Sequence, residues 1–145
     1  MNLLRPILLV EDDERDIDLT LKAFQRSQVA NAIQVVRNGE EAFSYLRRTG
    51  AYATRKAEHP VVVLLDVKMP KMDGLELLGE LRKDAQLRLI PVVLLTSSRE
   101  RQDVREGYRR GANAYVVKPV KFTEFLEAIK YLGAFWTVLN VPPEF

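Results

Sequence analysis

The sequence predicts an α/β fold in which a parallel sheet is covered by helices on both faces, a doubly wound arrangement. Three observations carry this. Five short runs rich in Val, Ile and Leu alternate along the chain with five segments of helical period. The central runs are apolar at successive positions, as strands buried on both faces must be. Four of the runs end on charged or hydroxyl residues, and in a parallel sheet those ends gather on one edge, where ligands bind.

The elements follow in order. A first strand near 6–11 leads into a helix near 13–28, with Ile17, Leu21 and Phe24 on one face and Asp13 as its N-cap. A strand near 32–36 and a helix near 39–49 come next, and "GAYATRKAEHP" (50–60) reads as a long exposed loop carrying a solvated His59. "VVVLL" (61–65) is the most apolar strand and stops on Asp66; Pro70 and Asp73-Gly74 then turn the chain into a helix near 74–84, with Leu78 and Leu81 facing inward. A strand near 90–95 precedes a helix near 99–110, for which Ser97 and Glu100 have capping-box spacing. "SRERQDVREGYRRG" carries five arginines interleaved with three acids and reads as a solvated face anchored by Val104 and Tyr108. Gly107 inside it costs about 1 kcal/mol relative to alanine, which marks a weakly held helix. A strand near 114–117 and a helix near 122–138 complete the pattern.

Composition narrows the function. A chain of 145 residues suffices for one domain with a sizeable core. A net charge of +2 gives no argument for nucleic acid or a membrane surface. There is no cysteine, hence no disulfide and no thiolate metal site, and a single histidine excludes schemes that need two. No apolar run approaches the roughly 20 residues of a membrane span, and acids by position 11 exclude a signal-peptide layout, so a cytoplasmic protein is expected.

The chemistry lies in the strand ends. "ILLV" runs into Glu11, Asp12 and Asp13; the third strand ends on Asp66; "IPVVLL" runs into Thr96 and Ser97; "AYVV" runs into Lys118-Pro119. If the first and third strands are neighbours, Glu11 and Asp12 stand beside Asp66. Carboxylates crowded together need a proton or a cation, and oxygen-only ligands favour a hard ion such as Mg²⁺. A hard cation, an ammonium and a hydroxyl around a carboxylate suit a phosphoryl group, toward which carboxylates act as nucleophiles.

"LLVEDD", "LLDVKMPKMDG", "VVLLTSS" and "GANAYVVKP", in this order over nearly the whole chain, resemble the receiver domain of bacterial response regulators. The resemblance implies the flavodoxin-like strand order 2-1-3-4-5 and one receiver domain spanning 1–145. It implies phosphorylation of Asp66 by a sensor histidine kinase and Mg²⁺ held by Asp12, Asp66 and the main-chain oxygen of Lys68, with Glu11 close by through water. It further implies Thr96 and Lys118 on the phosphoryl oxygens, Tyr115 as an aromatic switch, and a cis bond between Lys118 and Pro119. Such a protein is a phosphoacceptor rather than an enzyme with an outside substrate. No essential position departs from the pattern.

Plainer readings stand beside these. Asp13 serves as a cap; Thr96 could cap the following helix; Tyr115 could be core packing on an inner strand. A phosphohydrolase with an aspartyl-phosphate intermediate would usually place an acid two residues after the nucleophile, where this chain has Lys68. An interaction module that has lost phosphorylation would not need the full set of Asp12, Asp66, Thr96 and Lys118. A flavin site lacks its Ser/Thr-rich phosphate loop, and "VEDDER" would repel phosphate. With no output domain expected after the receiver, output would be protein contact, phosphorelay or phosphate buffering. The ending "LGAFWTVLNVPPEF" and the 50–60 loop resemble small regulators paired with phytochrome-type kinases. Phe122, Phe125, Leu126, Ile129 and Leu132 already supply the inward face of the last helix. Phe135, Trp136, Val138, Leu139 and Val141 therefore form a second cluster in a 134–145 extension, which either folds back on the core or makes a homodimer. The family resemblance favours the dimer.

Overall fold

The computed structural model describes residues 4–56 and 58–144; Ala57, within the expected 50–60 loop, lies outside them. Five strands, β1 (Ile7–Val10), β2 (Ile33–Val36), β3 (Val62–Leu65), β4 (Val92–Thr96) and β5 (Ala114–Val117), form one parallel sheet in the order β2-β1-β3-β4-β5. The helices between and after them are α1 (Glu14–Arg26), α2 (Gly39–Arg47), α3 (Gly74–Lys83), α4 (Arg101–Arg109) and α5 (Phe122–Ala134). Fold class and strand order are those expected.

Alternation along the strands divides the core into two layers. Leu8, Val10, Val63, Leu65, Val92 and Leu94 point to one face, where Ala42, Tyr45 and Leu46 of α2 and Leu77, Leu78 and Leu81 of α3 cover them. Ile7, Leu9, Val62, Leu64, Val93 and Leu95 point to the other, under Ala23 and Phe24 of α1 and Phe125, Ile129 and Leu132 of α5. Both faces of β1, β3 and β4 are buried, which is why their sequences are apolar without alternation.

Several local expectations need correction. The segment after α2 is not a freely exposed loop. It forms a 3-10 turn over Gly50–Tyr52, Tyr52 packs edge-on against Tyr45 with ring centroids 5.1 Å apart, and Arg55 Nε donates to the Tyr45 carbonyl at 2.6 Å. His59 is half-buried there, and burial followed by the charges of Arg55 and Arg5 lowers its pKa. Helix α4 lacks the Ser97–Glu100 capping box. Its N-cap residue Glu100 makes no side-chain cap bond, and the neighbouring Ser98 hydroxyl instead pairs with Asp103 at 2.5 Å. Tyr108 is 51 % exposed and anchors little. Gly107 is the buried contact of α4, for a Cβ there would stand 2.6 Å from Leu94 Cδ1. Its glycine permits close packing rather than marking a loose helix.

Helix α5 ends at Ala134, short of the expected 138, and continues as a π-helical turn over Phe135–Leu139. Trp136 folds back against the core layer under α1 and α5, and its ring lies 5.0 Å from that of Phe135. Val138, Leu139 and Val141 stay exposed. Among the described residues no helix is long and apolar enough to cross a membrane. All described peptide bonds are trans, Lys118–Pro119 included, contrary to the cis bond the resemblance implied.

Candidate functional site

Strand register builds the site. Val10 lies opposite Leu65, so the next residues, Glu11 and Asp66, leave the sheet side by side; the Asp66 N–H donates to the Val10 carbonyl at 3.1 Å. Thr96 lies opposite Val117, and the Lys118 N–H donates to the Thr96 carbonyl at 2.8 Å. Asp12, Asp66, Lys68, Thr96 and Lys118 thereby line one cleft. Glu11 is buried beside it. Tyr115 stands on β5 with its hydroxyl donating to the Ser98 carbonyl at 2.9 Å, and Asp13 caps α1 by accepting from the Asp16 N–H at 3.0 Å.

The turn after β3 is shaped by one glycine. Gly74 opens α3 directly against the end of β3, where a Cβ would lie 2.0 Å from the carbonyl oxygen of Asp66. Only glycine admits that approach. Asp73 then caps the helix by accepting from the Glu76 N–H at 2.9 Å. The "MDG" sequence thus fixes the Asp66 backbone between strand and helix.

The charges are unbalanced. One carboxylate oxygen from each of Glu11, Asp12 and Asp66 lies within 4.8 Å of the others. Lys118 is the buried cation of the group: its Nζ bonds Glu11 Oε1, lies 2.9 Å from Asp16 Oδ2 and stands 3.8 Å from Asp66 Oδ2. Burial opposes the Lys118 charge, but Glu11, Asp66 and Asp16 outweigh it and raise its pKa. Burial pushes Glu11 up to about 7, against the lowering effect of Lys118 and with help from the Asp66 charge. Glu11, Asp12, Asp16 and Asp66 thus place four carboxyl groups around the one ammonium of Lys118. The donor set is oxygen only and converges on one point, so the residues fit a hard divalent cation.

Two residues that sequence reading passed over complete the site. Asp16 reaches Lys118 from the first turn of α1; an acid three positions after the Asp13 cap, on a helix starting at the sheet edge, is the signal that could have found it. Ser98 joins two expected site residues: its N–H donates to Thr96 Oγ1 at 3.3 Å while its carbonyl accepts from Tyr115. Nothing in a serine after "LLTS" announces that link.

Comparison with known proteins gives the family. Residues 7–130 match the family described as response regulator receiver domain. The chain is 32% identical over 130 residues to response regulator Rcp1 of Synechocystis, covering 90% of this chain and 87% of that protein. The Mn(2+)-bound crystal structure of Rcp1 superposes with a TM-score of 0.88 at 31% identity, covering 97% of this chain and 99% of that one. The phosphorylated cyanobacterial phytochrome response regulator RcpA gives 0.89 at 36% identity over 97% of this chain and 99% of that one. The bacteriophytochrome response regulator RtBRR is 56% identical, with a TM-score of 0.78 over 97% of this chain and 84% of that one. By the fold, the cleft at the edge of its sheet and these matches, the chain belongs to the response regulator receiver domain family.

Proposed function

We propose that Asp66 accepts a phosphoryl group from a phosphohistidine of a sensor kinase, and that the chain signals through the change this causes. The carrying observation is the position of Asp66: a carboxylate at a strand end, with Lys118 Nζ at 3.8 Å and the Glu11 and Asp12 oxygens close enough to share a cation. An Asp66 oxygen attacks phosphorus as the P–N bond breaks; the electron pair stays on the imidazole, which takes a proton from water. Hydrolysis later returns the carboxylate and inorganic phosphate. Asp12, Asp66 and the main-chain oxygen of Lys68 would hold Mg²⁺, with Glu11 behind them, and that ion would neutralise charge on the transferring group. A relative described as Mn(2+)-bound supports this assignment.

Thr96 and Lys118 bond the new oxygens in this reading. Each charge-assisted bond is worth about 1.5–3 kcal/mol, whereas a shift from 1:99 to 99:1 needs about 5.5 kcal/mol. Two bonds reach that only at their upper limit, so phosphorylation produces a partial population shift. Turning Thr96 toward phosphorus removes its bond to the Ser98 N–H, loosening the residue whose carbonyl holds Tyr115. Tyr115 and α4 then carry the change outward.

The kinase we assign is of bacteriophytochrome type, because relatives described as phytochrome and bacteriophytochrome response regulators match over nearly the whole chain. We further propose a cytoplasmic homodimer. Tyr131 is 67 % exposed, Leu139 70 % and Val141 88 %, an apolar surface that a second copy would cover. Phosphohydrolase activity on other substrates is disfavoured by Lys68 where a second acid would act. Incubation with acetyl phosphate and Mg²⁺ tests the reading: the chain is labelled, chelation stops labelling, and Asp66→Asn abolishes it. Equal labelling of Asp66→Asn would overturn the assignment.

A further inference from the structure

The ammonium of Lys118 has three donors. Glu11 takes one and Asp16 Oδ2, at 2.9 Å, takes another. Asp66 Oδ2, at 3.8 Å, is beyond hydrogen-bond length. The lysine that should serve the phosphoacceptor is therefore drawn off it by two other carboxylates. Glu11 belongs to the acidic cluster at the end of β1, but Asp16 comes from a helix and adds no oxygen to that cluster. Its backbone is pinned at both ends: its N–H donates to the Asp13 side chain at 3.0 Å, and its carbonyl accepts from the hydroxyl of buried Thr20 at 2.7 Å. Lys118 is 8 % exposed, so few waters compete for its protons.

We propose that Asp16 is a positioning residue that holds Lys118 away from Asp66 in the unphosphorylated chain and resists its move onto the phosphoryl group. This rests on Asp66 being the phosphoacceptor. Asp16 is fixed by its helix, while Lys118 has a flexible stem. The third donor of the ammonium faces Asp66 Oδ2 at 3.8 Å, so drawing Nζ within hydrogen-bond length of new oxygens on Asp66 stretches its bond to Asp16. That stretching subtracts from the free energy available to the active form, so Asp16 sets how much of the phosphorylated chain reaches it.

Titration of the full chain with beryllofluoride in Mg²⁺, a phosphoryl mimic that adds to carboxylate oxygen, tests this by ¹⁵N NMR. Asp16→Asn is expected to bind at least about fivefold more tightly than the parent, the lower end of a typical coupling between sites. The Lys118 ammonium resonance should shift before the mimic is added and move less on binding than in the parent. Asp13→Asn is the control: it removes the same charge beside the same cleft, touches Lys118 through no bond, and leaves an equally good helix cap. It should change the affinity less than about twofold, since exposed charges are well screened. Unchanged affinity in Asp16→Asn, or equal tightening in both variants, overturns the proposal, the latter because it shows a general field effect. A parent that does not bind the mimic at all refutes the phosphoacceptor reading instead.

Discussion

Glu11 shows how one buried carboxylate links stability to metal. Burial raises its folded pKa from 4.5 to about 7. Between those values the folded chain holds a proton that the unfolded chain has released, so stability falls as pH rises through that window. In metal-free buffer the parent is expected to lose up to about 3 kcal/mol relative to Glu11→Gln between those limits. Urea denaturation of both proteins across that pH range checks it, and Mg²⁺ should restore most of the loss above pH 7. Gly74 works by space instead. A methyl group 2.0 Å from the Asp66 carbonyl has nowhere to go, so Gly74→Ala should cost about 3 kcal/mol and slow labelling of Asp66 by acetyl phosphate. Residue-scale reading of the sequence brought Asp12, Asp66, Thr96 and Lys118 to one place because each ends a strand, and strand ends are legible in apolar runs. It missed Asp16 because a pairing across 102 residues depends on how α1 sits on the sheet edge, which no local pattern reports.

Among the elements, α4 and β5 are the part that the proposed switch would move. Gly107 brings α4 against Leu94 and the Tyr115 ring, where an added Cβ would lie 3.3 Å from Tyr115 Cδ2. Gly107→Ala should therefore displace Tyr115 and shift its ring proton resonances, at a stability cost of about 1–3 kcal/mol. Tyr115→Phe removes the hydroxyl that donates to the Ser98 carbonyl. It should cost about 1 kcal/mol and speed hydrogen exchange at the first turn of α4. The elements themselves were legible, because apolar runs and helical periods set them within a few residues. The start of α4 was not: three hydroxyls and two acids between Thr96 and Asp103 allow several caps, and side-chain geometry selected Ser98 with Asp103. The 50–60 segment was misread because polar composition suggested solvent, whereas Arg55 spends its guanidinium on the Tyr45, Leu46, Lys56 and Glu58 carbonyls.

At the scale of the whole molecule, the tail divides its apolar residues between two uses. Trp136 covers the chain's own core, while Val138, Leu139 and Val141 face solvent. Composition alone could not separate these, since the two uses draw on the same residue types. Leu139→Ser together with Val141→Ser should leave the fold intact and convert a dimer to a monomer in light scattering at tens of micromolar. A parent that is monomeric with and without beryllofluoride would remove the dimer from this account.

In the proposed function the phosphoryl group travels through Asp66, and locating that group on the chain tests the assignment most directly. After phosphorylation in Mg²⁺, borohydride reduces an acyl phosphate to the alcohol, which turns the modified aspartate into homoserine, and peptide mass mapping then finds its position. Homoserine at position 66, and loss of the modified peptide when Mg²⁺ is chelated, is the predicted result. Homoserine at Asp12, Asp13 or Asp16 with position 66 unmodified would contradict it.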